Sequence, residues 1–122
     1  MSNEPRIHHV QVAIPVDGEA QARHFYGALL GMIEIGKPAS LQSLGGVWFR
    51  SGSIDFHLGT EEPFAPAKKA HVAYQVDDLD AVGERLAKAG FMVNPDDRLP
   101  GYRRFYTEDP FGNRVEILTP AG

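Results

Sequence analysis

The stretch Ile7-His8-His9-Val10-Gln11-Val12-Ala13-Ile14 decides how the rest of the chain is read. Side chains two apart on a strand share a face, so Val10, Val12 and Ile14 make an apolar side while His9, Gln11 and Ala13 point the other way. Pro15 ends the run. From Gly18 to Leu30 the apolar period changes: Ala22, Phe25, Tyr26, Leu29 and Leu30 recur at threes and fours, which predicts a helix. Asp17 is the expected helix cap and Gly31 the terminator. Segments 32–36 and 40–44 are less regular strand or loop candidates. Segments 46–50 and 53–58 alternate better and are separated by a turn at Ser51 and Gly52. The order is a strand, a helix, then about three strands. Residues 59–69, with Pro63 and Pro66, read as a connector.

The second half repeats that order. Residues 71–76 alternate as a strand. In 79–89, Leu79, Val82, Leu86 and Ala89 share one helical face, capped by Asp77 or Asp78 and ended by Gly90. Residues 91–94 begin the next strand, and 102–107 and 114–118 form an antiparallel pair around the turn Asp109-Pro110-Phe111-Gly112-Asn113. His9-Val10 returns as His71-Val72 at an offset of 62, and Phe56-His57-Leu58 is echoed by Val115-Glu116-Ile117 at 59. About 60 residues have difficulty burying a helix and a sheet alone, so two such halves sharing a structure, or exchanging between chains, is the physical expectation.

Composition narrows the function classes. The chain has 122 residues, 43% of them apolar and 23% charged, as an ordinary globular domain does. A net charge of −4, without a basic stripe, argues against nucleic acid as a partner. Cysteine is absent, which removes disulfides, thiolate metal sites and a Cys nucleophile together. No long apolar run or signal-like start is present, so no membrane partner and a cytoplasmic location are expected.

Strand parity also sorts the polar groups. Ile54, Phe56 and Leu58 leave Asp55 and His57 on the opposite side; Val72, Tyr74 and Val76 leave His71; Val115 and Ile117 leave Arg114, Glu116 and Leu118. His9, His57, His71 and Glu116 can therefore all lie on helix-free sheet faces. Three imidazole nitrogens and one carboxylate suit a divalent cation, with Fe, Zn, Ni, Mn and Co all compatible. His8 falls on the other parity, and His24 lies on the helix as a surface residue. Arg103, Arg104, Tyr102 and Tyr106 flank the same strand edge, and parity with Tyr106 favours Arg104 as the inward arginine, a guanidinium fork suited to an anionic oxygen. Gln11, Trp48 and Arg50 are further lining candidates, Trp48 as a stacking wall or as core.

His9-Val10, Phe25-Tyr26, Leu30-Gly31, His71-Val72, Val76-Asp77-Asp78-Leu79 and the segment Asp109 to Glu116 together resemble the vicinal oxygen chelate superfamily, the glyoxalase, bleomycin resistance protein and extradiol dioxygenase family. The likeness spans nearly the whole chain. It implies an α+β fold of two βαβββ modules, 7–60 and 70–119, forming an open, barrel-like mixed sheet around a metal cleft. It also implies a homodimer with sites between chains. By position, His9, His71 and Glu116 resemble the recurrent metal ligands. His57 stands where glyoxalase I proteins carry a glutamate, so this set is closer to the two-His, one-Glu set of extradiol dioxygenases and fosfomycin-modifying transferases. His57 is then a fourth ligand, an acid–base group or a substrate contact. The expected activity is metal-dependent chemistry on a small substrate with adjacent oxygens, of lyase, isomerase or dioxygenase type, with His57 or Glu116 moving a proton. The alternative is a non-catalytic small-molecule binder of the bleomycin-resistance type. A non-catalytic partner protein is a third class, for which no apolar repeat or charged tail speaks.

Overall fold

A computed structural model describes residues 2–122, which divide into two compact units meeting between Phe64 and Ala65. In the first unit, β1 (His9–Ile14) leads to α1 (Glu19–Ala22), which continues without a break as a π-helical segment, Arg23–Leu29. Then come β2 (Ile33–Ile35), a 3₁₀ segment (Ala39–Leu44), β3 (Val47–Ser51) and β4 (Ile54–Thr60). The second unit has β5 (Val72–Gln75), α2 (Leu79–Lys88), β6 (Asn94–Asp96), β7 (Tyr102–Glu108) and β8 (Arg114–Pro120). Each unit holds one four-stranded mixed sheet, in the orders β1-β4-β3-β2 and β5-β8-β7-β6, and neither closes into a barrel. In both, the first strand runs parallel to the last and every other pairing is antiparallel.

One face of each sheet is buried by its helix. Phe25, Tyr26 and Leu29 are buried, as are the strand residues Ile14, Phe49, Phe56 and Leu58. Tyr26 lies 5.1 Å from Phe56, and Phe49 presses close to Gly27, where an added Cβ would come within 3.3 Å. In the second unit Leu79, Val82 and Leu86 of α2 are buried together with Phe105, Val115 and Ile117, and α2 lies against β7 and β8. Each such side chain contributes about 1.5–3 kcal/mol by leaving water. The alternation read from the sequence therefore assigns the faces correctly, and the second face of each sheet stays free of helix.

Three local expectations are corrected and one alternative is decided. Asp17 is not a cap: its φ of 68° is left-handed, and Gly18 is the capping residue without a side-chain bond. Of Asp77 and Asp78, it is Asp78 that caps, accepting the Ala81 N–H at 3.0 Å. Residues 39–44 are a 3₁₀ turn rather than strand or loop, started by the Leu41 N–H on the Pro38 carbonyl at 2.9 Å. The strand expected from Phe91 starts only at Asn94, because the Phe91 N–H still bonds the Leu86 carbonyl (2.9 Å) and belongs to the helix exit. Among the described residues no helix is long and apolar enough to cross a membrane.

The Asp109–Asn113 turn is buried and tightly bonded. Asp109 Oδ1 accepts the N–H groups of Phe111 and Asn113, both at 2.9 Å, and Oδ2 accepts Asn113 Nδ2 at 2.9 Å. Asn113 Oδ1 in turn accepts the Ala67 N–H at 2.8 Å, and the Arg114 N–H donates to the Ala67 carbonyl at 2.8 Å. The end of the connector is thereby stitched to the start of β8. Replacing Asp109 by Ala strands three donors in a buried turn, and chemical denaturation should show a loss of about 3 kcal/mol, since each unsatisfied group costs roughly 1–3 kcal/mol.

Candidate active site

In the first unit the helix-free face is built by register. Gln11 is the parallel partner of His57, and Trp48 is its antiparallel partner, so all three side chains share that face with His9 two residues earlier. The His57 ring is sandwiched: His9 stacks on one side at 4.5 Å, and the Trp48 indole stacks nearly parallel on the other at 3.7 Å and 3°. His57 is only 7% exposed, and its Nε2 has no hydrogen-bond partner among the described residues. Burial, reinforced by the neighbouring His9 and opposed by Asp55, lowers the pKa of His57, so the ring is neutral near pH 7. Arg50, an expected lining residue, is exposed and bonded to Asp55 (3.1 Å), while Gln11 packs its carboxamide over Gly59. His8 is exposed and meets His9 through their Nδ1 atoms at 3.0 Å.

The second unit repeats the placement. Ala73 is the partner of Glu116, and His71 again stands two residues earlier, just before β5. His71 Nε2 lies 2.9 Å from Glu116 Oε1, and its Nδ1 lies 2.8 Å from the Lys69 carbonyl. A carbonyl can only accept, so Nδ1 carries a proton and donates it, which leaves Nε2 as the ring atom facing the carboxylate. A ring nitrogen and a carboxylate oxygen at this distance need a proton or a cation shared by them. Glu116 is 4% exposed. Its Oε2 accepts Arg104 Nη1 at 3.2 Å, while Arg104 Nε and Nη2 both donate to Asp96 Oδ1, at 3.2 and 3.1 Å. Tyr106 sits edge-on to His71 at 5.6 Å, with the Arg114 guanidinium 4.1 Å from its ring centre and that of Arg104 at 5.1 Å.

The structure thus brings together His9 with His57 and Trp48, and His71 with Glu116, Arg104 and Tyr106. Among the described residues no group of three or more His, Asp or Glu side chains gathers around one point. Sequence reasoning missed Asp96, Arg98, the pairing of Asp55 with Arg50 and the stacking role of Arg114. Asp96 stands directly across the β6–β7 pair from Arg104; opposite charge is the only signal for it, and using it requires a register that three-residue β6 does not reveal. Asp96 is kept ionised well below the ordinary carboxylate range by Arg98 first and by Arg104.

The profile of the Glyoxalase/Bleomycin resistance protein/Dioxygenase superfamily matches residues 6–117. The chain belongs to this superfamily. A solved protein of Bacillus anthracis, described as of the glyoxalase family, is 46% identical over 98% of this chain and 99% of its own, with a TM-score of 0.92. A glyoxalase/dioxygenase from Nostoc punctiforme (22% identity, 98% and 94% coverage, TM-score 0.78) shares the fold. So does the fosfomycin resistance protein FosX from Listeria monocytogenes (15% identity, 97% and 95% coverage, TM-score 0.77). No curated protein matches the sequence.

Trp48 is the only tryptophan, so its fluorescence reports on the His57 stack. A stacked imidazolium quenches indole. Acid titration of the apo protein should give a quench with a midpoint below the ordinary imidazole value of about 6.5, and the His57→Gln variant should lack it. By linkage, a depressed pKa in the folded state means that stability falls as pH drops through and below about 6.5, and this loss should be smaller in His57→Gln.

Proposed function

We propose that the chain is a metal-dependent enzyme acting on a small molecule that offers two adjacent oxygens. His9, His57, His71 and Glu116 would hold one divalent cation (Fe, Zn, Ni, Mn or Co) per site, in a homodimer with sites between chains. The observation that carries this reading is the His71–Glu116 contact, in which a ring nitrogen, oriented by the Lys69 carbonyl, faces a buried carboxylate oxygen at 2.9 Å. A ring N–H donated to a backbone carbonyl is the usual outer support of a metal-binding imidazole. The orphaned, buried Nε2 of His57 is a second fit, since it gains a partner only when something binds on that face.

Such a cation supplies Lewis-acid polarisation of the paired oxygens. The remaining roles fall to this chain's side chains. His57, kept neutral by its surroundings, is able to take a proton at Nε2 whenever that atom is not bound to the cation, and its position between two rings fixes the direction in which that atom points. Glu116 is the second candidate proton carrier, through Oε1 once that oxygen leaves the cation. Trp48 and Tyr106 offer flat walls for a planar substrate, with Gln11 and Arg50 at the margin. The expected chemistry is of lyase, isomerase or ring-cleaving dioxygenase type.

The test is elemental analysis of protein purified without chelator, with His71→Ala and Glu116→Gln alongside. About one metal per chain is expected in the natural protein and less than a tenth of that in the variants. Calorimetry should show acetohydroxamate, which presents two adjacent oxygens, binding to metal-loaded protein and not to apo protein. Unchanged metal content in His71→Ala would sink the reading. Tight binding of a planar aromatic cation to metal-free protein would favour a bleomycin-resistance-type binder instead.

A further inference from the structure

Arg104 looked, from sequence parity, like a fork for a substrate anion. The structure gives its donors other work. Its three hydrogen bonds among the described residues all go to carboxylates of its own chain: Nη1 to Glu116 Oε2, and Nε and Nη2 to Asp96 Oδ1. The three side chains are well shielded, at 13% exposure for Arg104, 12% for Asp96 and 6% for Glu116. Asp96 is secured in turn through Oδ2 by the Arg98 guanidinium, with Nε at 2.8 Å and Nη2 at 2.6 Å. The series runs from exposed Arg98 through Asp96 and Arg104 to Glu116, and ends at His71 Nε2.

We propose that Arg104, anchored by Asp96, is a positioning residue that makes Glu116 a one-oxygen ligand. This rests on the metal reading of His71 and Glu116. A carboxylate binds a cation through one oxygen or both, and the choice changes the coordination number left for substrate. A guanidinium bonded to Oε2 withholds that oxygen and leaves Oε1, the atom already facing His71, as the sole donor. Two of the three Arg104 contacts run to Asp96, so Asp96 sets where the guanidinium sits. An arginine shared by two carboxylates has little positive charge to offer a third, which removes it from the substrate's anion contacts. The substrate's negative oxygens are then left to the cation, and the pocket selects compact chelating oxyanions over molecules recognised through a remote carboxylate.

The experiment loads the natural protein, Arg104→Ala, Arg104→Lys and Asp96→Asn with cobalt(II), measuring affinity by calorimetry and coordination by visible absorption. Circular dichroism of each apo protein confirms the fold. Arg104→Ala and Asp96→Asn should bind cobalt roughly 10–100-fold more weakly, the usual effect of losing an outer partner of a ligand. Their visible bands should also weaken and shift as Glu116 turns to two-oxygen binding. Arg104→Lys, which keeps the charge without the fork, should recover part of the affinity but not the natural spectrum. Natural affinity and an unchanged spectrum in both Arg104→Ala and Asp96→Asn would overturn the proposal while leaving the metal reading intact. A loss of thermal stability with an unchanged cobalt spectrum would overturn it too, in favour of a structural role. Absence of cobalt binding to the natural protein would bring down the metal reading, and this proposal with it.

Discussion

The parallel pairing of each unit's first strand with its last is the constraint on which the rest depends. It moves the last strand into the sheet interior, where its neighbours on both sides bury it, and it fixes the offset between the two strands. In the first unit that offset sets His57 opposite Gln11, two residues beyond His9; in the second it sets Glu116 opposite Ala73, two residues beyond His71. A slip by one residue would turn either last-strand group toward the helix. The helix-facing residues Phe56, Leu58, Val115 and Ile117 prevent that slip, because their burial is worth several kcal/mol in each unit. Packing on one face therefore enforces chemistry on the other.

The equivalent positions carry unlike groups. His57 is held neutral between two flat rings and has an unpartnered nitrogen. Glu116 is a buried carboxyl group between an imidazole and a guanidinium, with Oε1 toward His71 and Oε2 toward Arg104. A buried carboxylate without partners would be strongly unfavourable, and the Arg104–Asp96–Arg98 series supplies what burial removes. In the first unit no such series is needed, since a neutral imidazole loses far less on leaving water.

Much of this was legible in the sequence, for a reason particular to strands. Parity is a period of two and survives small errors in the ends of an element, so His9, His57, His71, Glu116 and Arg104 were assigned to the correct face even though β6 began three residues later than expected. Helix ends are less forgiving. Asp17 has the right residue type for a cap, but a left-handed φ makes it part of the preceding turn, which no side-chain preference reveals. The role of Arg104 was illegible for a different reason: parity states which way a side chain points and not what it meets. Asp96 entered the picture only through cross-strand register, and short irregular β6 gave the sequence no period from which to read it. Trp48 was ambiguous between wall and core because either use buries an indole face.

The Asp109–Asn113 turn carries no reactive group, yet it steers one. Asp109 locks Asn113, Asn113 grips the backbone at Ala67, and two residues further along the Lys69 carbonyl decides which nitrogen of His71 keeps its hydrogen. A signature that looks like a mark of the reaction reaches it through a backbone tether. The connector is thus constrained in length: inserting or deleting a residue between Ala67 and His71 would retune an imidazole without touching any group proposed to do chemistry.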